Sequence, residues 1–299
     1  MSNQITTAHV QQYKDNVLIT YQQAGSKLRG SVQERTVTGR ADFWDRVDQT
    51  AAQKKLSRNS DTPLVNTPHS RRMVTLQDYE WADLIDKQDA IRILIDPQSA
   101  YAVNAGYALG RSFDDEVINA FDGIAYGAID GSTQITFSSE KAGDEDFSGA
   151  ALTVPNLVQV KLDLDAQDVP DEGRHIVMRP AGFAQLLKQS TAPMISNADY
   201  NTVKALVNGE IDTFLGFKFH RTTRMPQGNL SQDGLGANLS YGFAWHEKSM
   251  GISVGMEFIT RVTERSDKSY ATQVYVAGSF GATRLQGNGV VRFKINETN

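Results

Sequence analysis

Apolar residues recurring at spacings of three and four mark the first element. Val10, Tyr13, Val17 and Tyr21 predict an amphipathic helix over residues 8–24, which Gly25 stops. From residue 31 the runs turn strand-like. SVQERTVTGRADFWDRVD carries Phe43 and Trp44 as its large apolar side chains, and MVTLQDYEWADLID follows with the same character. Between them, QKKLSRNSDTPLVNTPHSRR (53–72) has only Leu56, Leu64 and Val65 as large apolar residues. A structureless stretch of about 20 residues is uncommon inside a compact domain and is usually functional or disordered. Residues 31–86 therefore read as one long hairpin with a polar, basic tip.

The clearest helix signal begins at Asp96-Pro97, an N-cap followed by a proline whose missing N–H costs nothing there. Ala102, Ala105, Leu109, Phe113, Val117, Ala120 and Ile124 then hold one face. A helix from Pro97 to Asp122 would be roughly 40 Å long. Its first half, SAYAVNAGYALG, is rich in Ala and Gly and permits another backbone to approach. Gly106 and Gly110 each weaken an isolated helix by ~1 kcal/mol, so packing must hold it together.

Further along, after ITF (135–137), SSEKAGDEDFSGA reads as a surface excursion. Residues 155–165 conflict: Val158, Val160, Leu162 and Leu164 alternate with polar residues as in a strand, whereas Pro155 suits a helix start. RHIVMRP predicts a strand and PAGFAQLLKQ a helix. Ser196 with Asp199 resembles a capping box for a helix through Tyr200, Val203 and Leu206, ended by Gly209. FLGFKFHRT is a strand and RMPQGNLSQDGLGAN a turn-rich loop. Residues 241–296 hold one short helix and three strands around the charged break ERSDKS. No period of 20–50 residues repeats. The class is α+β.

Composition adds one asymmetry. The 299-residue chain carries a net charge of −5, yet residues 26–72 hold ten Lys/Arg against five acids, which leaves −10 for the rest. A basic arm on an acidic body can bind nucleic acid or the acidic body of a neighbouring copy. The cations are spread among acids, and no stacking aromatics interleave with them in 53–72, which favours the neighbour. With no cysteine, disulfides and thiolate zinc sites are excluded. No apolar run approaches the roughly 18 residues of a membrane span, and the N-terminus lacks signal-peptide character, so residence in the cytosol is the default expectation.

The chain offers little for catalysis. His9, His69, His175, His220 and His246 are scattered, with no helical i, i+4 metal pair. There is no GxSxG elbow and no phosphate loop, and GLGANL (234–239) lacks the third glycine of a dinucleotide fingerprint. DLDAQD (163–168) and DED (144–146) do not reproduce a calcium loop. Trp44, Trp81 and Trp245 read as core or interface anchors.

The order of elements, with VPDEGRHIVMRPAGFAQLLKQ (169–189), SNADYNTVKALVNGEIDTFLGFKFHRTTRMP (196–226) and AWHEKSMGISVG, resembles the Hong Kong 97 phage-type capsid fold. That fold belongs to major capsid proteins of tailed bacteriophages and to encapsulins. The resemblance implies an N-arm at 1–30, an extended loop at 31–86, a peripheral domain at 87–140 and 255–299 around a spine helix 97–122, and an axial domain at 141–254. It also implies a helix at 156–165. The implied function is self-assembly into hexamers and pentamers of an icosahedral head enclosing double-stranded DNA, without enzymatic activity or cofactor. The shell would assemble in the host cytoplasm and reside in the virion. An encapsulin compartment is the alternative within the fold; a carboxylate-based hydrolase has no positive support. Implied partners are the chain itself, a portal, a decoration protein, and a separate scaffolding protein, since no scaffolding segment precedes the N-arm unless a leader is removed. The covalent cross-links of some members do not carry over, although Lys54 and Lys55 sit in a suitable loop.

Candidate intersubunit contacts are Arg35, Arg40, Arg46, Lys54, Lys55, Arg58, Arg71 and Arg72 with Phe43 and Trp44. On this reading, reversing the charges of Arg58, Arg71 and Arg72 together impairs the shell and leaves thermal unfolding of the subunit little changed.

Overall fold

A computed structural model describes residues 22–55, 57–58, 61–62, 64–86, 97–149, 151–188, 205, 213–226 and 238–297. The helices expected at 8–24 and around Tyr200, and most of the GLGANL loop, lie outside this set. The strands of the expected hairpin are β1 (Gln33–Thr36), β2 (Ala41–Val47), β3 (His69–Thr75) and β4 (Gln77–Ile85). The long helix α1 spans Pro97–Asp122, as its cap and periodicity predict. Then come β5 (Ala125–Gly127), β6 (Thr133–Ile135), the one-turn helix α2 (Phe137–Glu140) and β7 (Gly143–Phe147). The middle of the chain supplies α3 (Val154–Asp165), β8 (Arg174–Met178), α4 (Pro180–Lys188), β9 (Thr213–Phe214) and β10 (Phe217–Arg221). It closes with β11 (Leu239–His246), β12 (Met250–Arg265), β13 (Ala271–Arg284) and β14 (Val290–Asn296), separated by short 3-10 turns at Glu247–Ser249 and Gly287–Gly289. The closing segment thus holds four strands where three were expected.

These strands form three sheets, in the orders β1-β12-β13-β4, β7-β14-β11-β8-β10-β9 and β2-β3-β5-β6. The chain divides into two compact units. One comprises residues 1–26, 78–113 and 256–279. The other comprises 27–77, 114–255 and 280–299.

In the first unit, Ala105 and Leu109 of α1 pack on Val276, flanked by Tyr79, Trp81 and Phe258. The small-residue face does admit a backbone, but at one glycine only. A Cβ on Gly110 would lie 2.6 Å from the Gly25 carbonyl carbon, whereas one on Gly106 would meet open space.

The second unit is built on the six-stranded sheet. Val291, Phe293 and Ile295 of β14 alternate into a core with Leu157, Val160 and Leu164 of α3, Ile176 and Met178 of β8, and Phe183 and Leu186 of α4. β14 runs antiparallel to β11 from Trp245↔Val290 to Leu239↔Asn296, and parallel to β7 from Gly143↔Val291 to Phe147↔Ile295. Gly242 of β11 leaves room for the Phe293 ring, because a Cβ there would sit 2.3 Å from it. The last strand therefore joins strands of the middle region. Near the end of α1, Phe121 stacks on Phe243 at 4.9 Å and meets Trp245 at 4.7 Å. Ile124, assigned to the helical face, lies beyond the helix and is half exposed.

Two further readings change. Residues 154–165 are helical, as the resemblance implied and against the alternation: the Thr153 hydroxyl accepts from the Asn156 N–H at 3.3 Å, and Pro155 fits the first turn. Leu157, Val160 and Leu164 form the buried stripe, while Val158 and Leu162 face outward. GDEDF, inside the expected surface excursion, is the sheet-edge strand β7. Its acids face cations of the neighbouring strand: Arg292 binds Asp144 at 2.9 Å, and Lys294 approaches Asp146 at 3.5 Å.

Candidate functional site

The candidate contact residues sit on or near the β2–β3 hairpin, whose register pairs Trp44 with Arg72, Asp45 with Arg71, Arg46 with Ser70 and Val47 with His69. Its root closes where the Asp48 N–H donates to the Pro68 carbonyl at 3.0 Å. The segment beyond the root is therefore 48–68, and Arg71 and Arg72 belong to the stem rather than the tip. Every described residue from 49 to 68 is exposed, including Lys54, Lys55 and Arg58, and Leu64 is 93% accessible.

The stem cations have local partners. Arg35 pairs with the buried Asp42, donates to the Phe43 carbonyl at 3.1 Å and lies over the Trp44 ring at 4.9 Å. Trp44 donates to the Ser253 hydroxyl at 3.0 Å, which in turn donates to Asp42 at 2.8 Å. Arg71 binds Asp45 at 2.6 Å and covers the half-buried Phe43 ring. That hydrogen bond holds the Asp45 carboxyl below the usual carboxylate range. Arg40 is exposed.

Arg72 departs from the surface reading. Its side chain is 2% exposed, forms an ion pair with Glu140, and donates from Nε to the Leu285 carbonyl at 3.4 Å. A Cβ on Gly127 of β5 would lie 3.0 Å from its guanidinium, so glycine there makes room for it. Arg46 donates to the same Leu285 carbonyl at 2.8 Å and to the Ser70 hydroxyl at 2.7 Å, with Asp48 at 3.6 Å. Burial, and then the charge of Arg72, lower the Arg46 pKa. Arg284 is fully buried and donates to the Phe121, Gly123 and Ile135 carbonyls at 2.9, 3.0 and 3.3 Å. Burial lowers its pKa too, while Glu140 opposes the change. Glu140 and Arg284 were missed in the sequence, where nothing separates a buried charge from a solvated one.

These groups border an open groove of roughly 720 Å³ between the hairpin stem and the β5–β6 turn, with Arg46, His69, Arg71, Arg72, Asp45 and Glu140 among its walls. Ile129, 85% exposed, stands at its rim.

Elsewhere the structure joins histidines that the sequence scattered. His175 Nδ1 and His220 Nε2 are 3.0 Å apart, and both rings stack on Trp245. Burial lowers the His175 pKa to about 4, and His220, Lys218 and His246 push the same way. Among the described residues, no cluster of His, Asp or Glu could hold a metal ion.

A long exposed hairpin segment, a stem braced by arginines and a helix held by late strands define a protein that presents a surface. The sequence model for phage capsid proteins matches residues 5–297, and the chain belongs to that family. No curated protein sequence matches it. Among solved structures, the capsid of cyanophage P-SCSP1u is similar over 97% of this chain and 94% of that one, with 15% identity and a TM-score of 0.73. The cyanophage Pam1 capsid is similar over 98% of both chains at 12% identity and a TM-score of 0.68. The capsid of Ralstonia phage GP4 is similar over 98% of this chain and 96% of that one, at 9% identity and 0.69. The fold is the Hong Kong 97 phage-type capsid fold, and the chain is a phage capsid protein. A phage shell is favoured over an encapsulin compartment.

Proposed function

We propose that this protein assembles into hexamers and pentamers of an icosahedral head that encloses double-stranded DNA, built in the host cytoplasm with a separate scaffolding protein and a portal. Its role is structural and not catalytic. The observation that carries this reading is the exposed 48–68 segment on a rigid stem. Leu64 and Val65 are open to solvent in the isolated chain, and three cations cluster within five residues. Ordering such a segment costs about 1–2 kcal/mol per residue in backbone entropy, which its own apolar side chains cannot offset. A neighbouring copy can. Each exposed ion pair contributes only about 0–1 kcal/mol, but a closed shell repeats it many times. In this reading Lys54, Lys55, Arg58 and Arg40 contact the neighbour directly, while Arg35, Arg71, Phe43 and Trp44 hold the stem that aims them.

The implied division into N-arm (1–30), extended loop (31–86), peripheral domain (87–140, 255–299) and axial domain (141–254) serves as the working map of the shell. Purified protein, with scaffold if needed, should give capsomers or closed particles by electron microscopy. A strict monomer under every condition would overturn the proposal.

A further inference from the structure

The groove at the hairpin root has an unbalanced set of charges. Its two lining carboxylates are engaged, Asp45 by Arg71 and Glu140 by Arg72. Arg46 is different: its two hydrogen bonds go to neutral acceptors, the Ser70 hydroxyl and the Leu285 carbonyl. Its nearest carboxylate, Asp48, is 3.6 Å away and 42% exposed. Arg46 and Arg72 also share the Leu285 carbonyl, which brings two like charges against one dipole. A buried or half-buried guanidinium answered mainly by neutral groups is stabilised by a further anion, most strongly by a carboxylate that accepts two parallel N–H bonds.

Space for one exists. The main groove, of roughly 720 Å³, is open, and a smaller one of about 250 Å³ shares Arg46 and Glu140 with it and adds the amides of Gln49, Gln286 and Asn288. His69 is among the lining residues, and Ile129 supplies an apolar rim. A cationic floor with an apolar lip fits a protein side chain better than a nucleic-acid backbone, because no Phe, Tyr or Trp lines the groove for base stacking.

From this we infer that the groove receives an Asp or Glu side chain from a second copy of the chain, with Arg46 as its principal partner. Charge balance selects that occupant: outside residues 26–72 the chain carries −10, so a neighbour's surface is rich in carboxylates. This inference rests on the capsid reading and names a contact within it.

The test uses assembled particles. An Arg46→Lys variant is co-assembled as a minority with isotope-labelled wild-type protein, treated with a carbodiimide that joins amines to carboxylates, and mapped by mass spectrometry. The expected result is a link from position 46 to a labelled Asp or Glu of another copy. In parallel, wild-type particle yield should fall with rising salt, and Arg46→Gln should flatten that dependence at least twofold while its unassembled subunit unfolds at a similar urea concentration. Links confined to Asp48 or Glu140 of the same chain, or an unchanged salt dependence in Arg46→Gln, overturn the inference. Failure of the wild type to form any particle would instead overturn the capsid reading.

Discussion

Gly106 and Gly110 lie one helical turn apart on α1, and adding the same methyl group to each should have opposite effects. In an exposed helix interior, Gly→Ala gains about 1 kcal/mol through propensity. At Gly106 the new Cβ meets nothing within 4 Å, so Gly106→Ala should stabilise the subunit by about 0.5–1 kcal/mol. At Gly110 the Cβ would lie 2.6 Å from the Gly25 carbonyl carbon, 2.7 Å from its Cα and 2.8 Å from the Ser26 nitrogen. Carbon atoms pack at about 3.5–4.0 Å, so the 25–26 backbone must retreat by about 1 Å. Gly25 cannot relax freely, since it is held at φ +70°. Retreat also pulls on the Arg111–Gln22 and Gln22–Asn104 bonds of 2.6 and 2.8 Å. Overpacking of this kind costs about 1–3 kcal/mol and outweighs the propensity gain. Gly110→Ala should therefore destabilise by about 0.5–2 kcal/mol. Urea unfolding of unassembled subunits gives the comparison, with hydrogen exchange at the 22–26 amides as a local readout. If Gly110→Ala is as stable as Gly106→Ala, the close backbone approach is not a constraint and the reasoning fails.

Other predictions concern charge and strand closure. His175 is held neutral in the fold with a pKa of about 4, against about 6.5 when unfolded, so the unfolded chain binds the extra proton between these values. Stability is therefore full above pH 6.5 and falls as pH drops towards 4, by about 2–3 kcal/mol for a single such group; His175→Phe should flatten urea midpoints across that window, and an unchanged slope would assign it elsewhere. Reversing Arg58, Arg71 and Arg72 together can no longer leave the subunit intact: Arg72→Met alone strands Glu140 and should cost about 3–5 kcal/mol. Reversing Lys54, Lys55 and Arg58 should instead abolish particles while shifting unfolding by less than about 0.5 kcal/mol, and a larger shift would place the tip in the subunit's own core. Deleting Val290 to Ile295 leaves β7 and β11 without their shared partner, so circular dichroism should find no cooperatively folded subunit.

Elements with a long period or a strong cap were legible in the sequence. α1 announced its start through Asp96-Pro97 and its length through the apolar period that follows. Elements defined by their neighbours were not. GDEDF reads as solvated acid until Arg292 and Lys294 of β14 stand beside it. In α3 the outward Val158 and Leu162 completed a false alternation, and only the cap geometry at Thr153 decides for the helix. The hairpin was visible from its polar middle, but its stem boundary was not, because Arg71 and Arg72 continue the basic run into a paired strand. Arg72 and Arg284 were illegible as buried groups, since the carbonyls and the carboxylate that receive them come from distant parts of the chain.

The position of β14 also sets a timetable. It stands between β7 and β11, and it supplies the pairing of β7 within the sheet. Ribosomes add about 5–20 residues per second, so roughly 7–30 s separate the synthesis of residue 143 from that of residue 290. Through that interval the β7 edge awaits its partner, and once residue 246 has been made the β11 edge awaits the same missing piece. A chain cut short before residue 290 therefore lacks the strand that β7 and β11 share, and has no finished subunit to present to its neighbours.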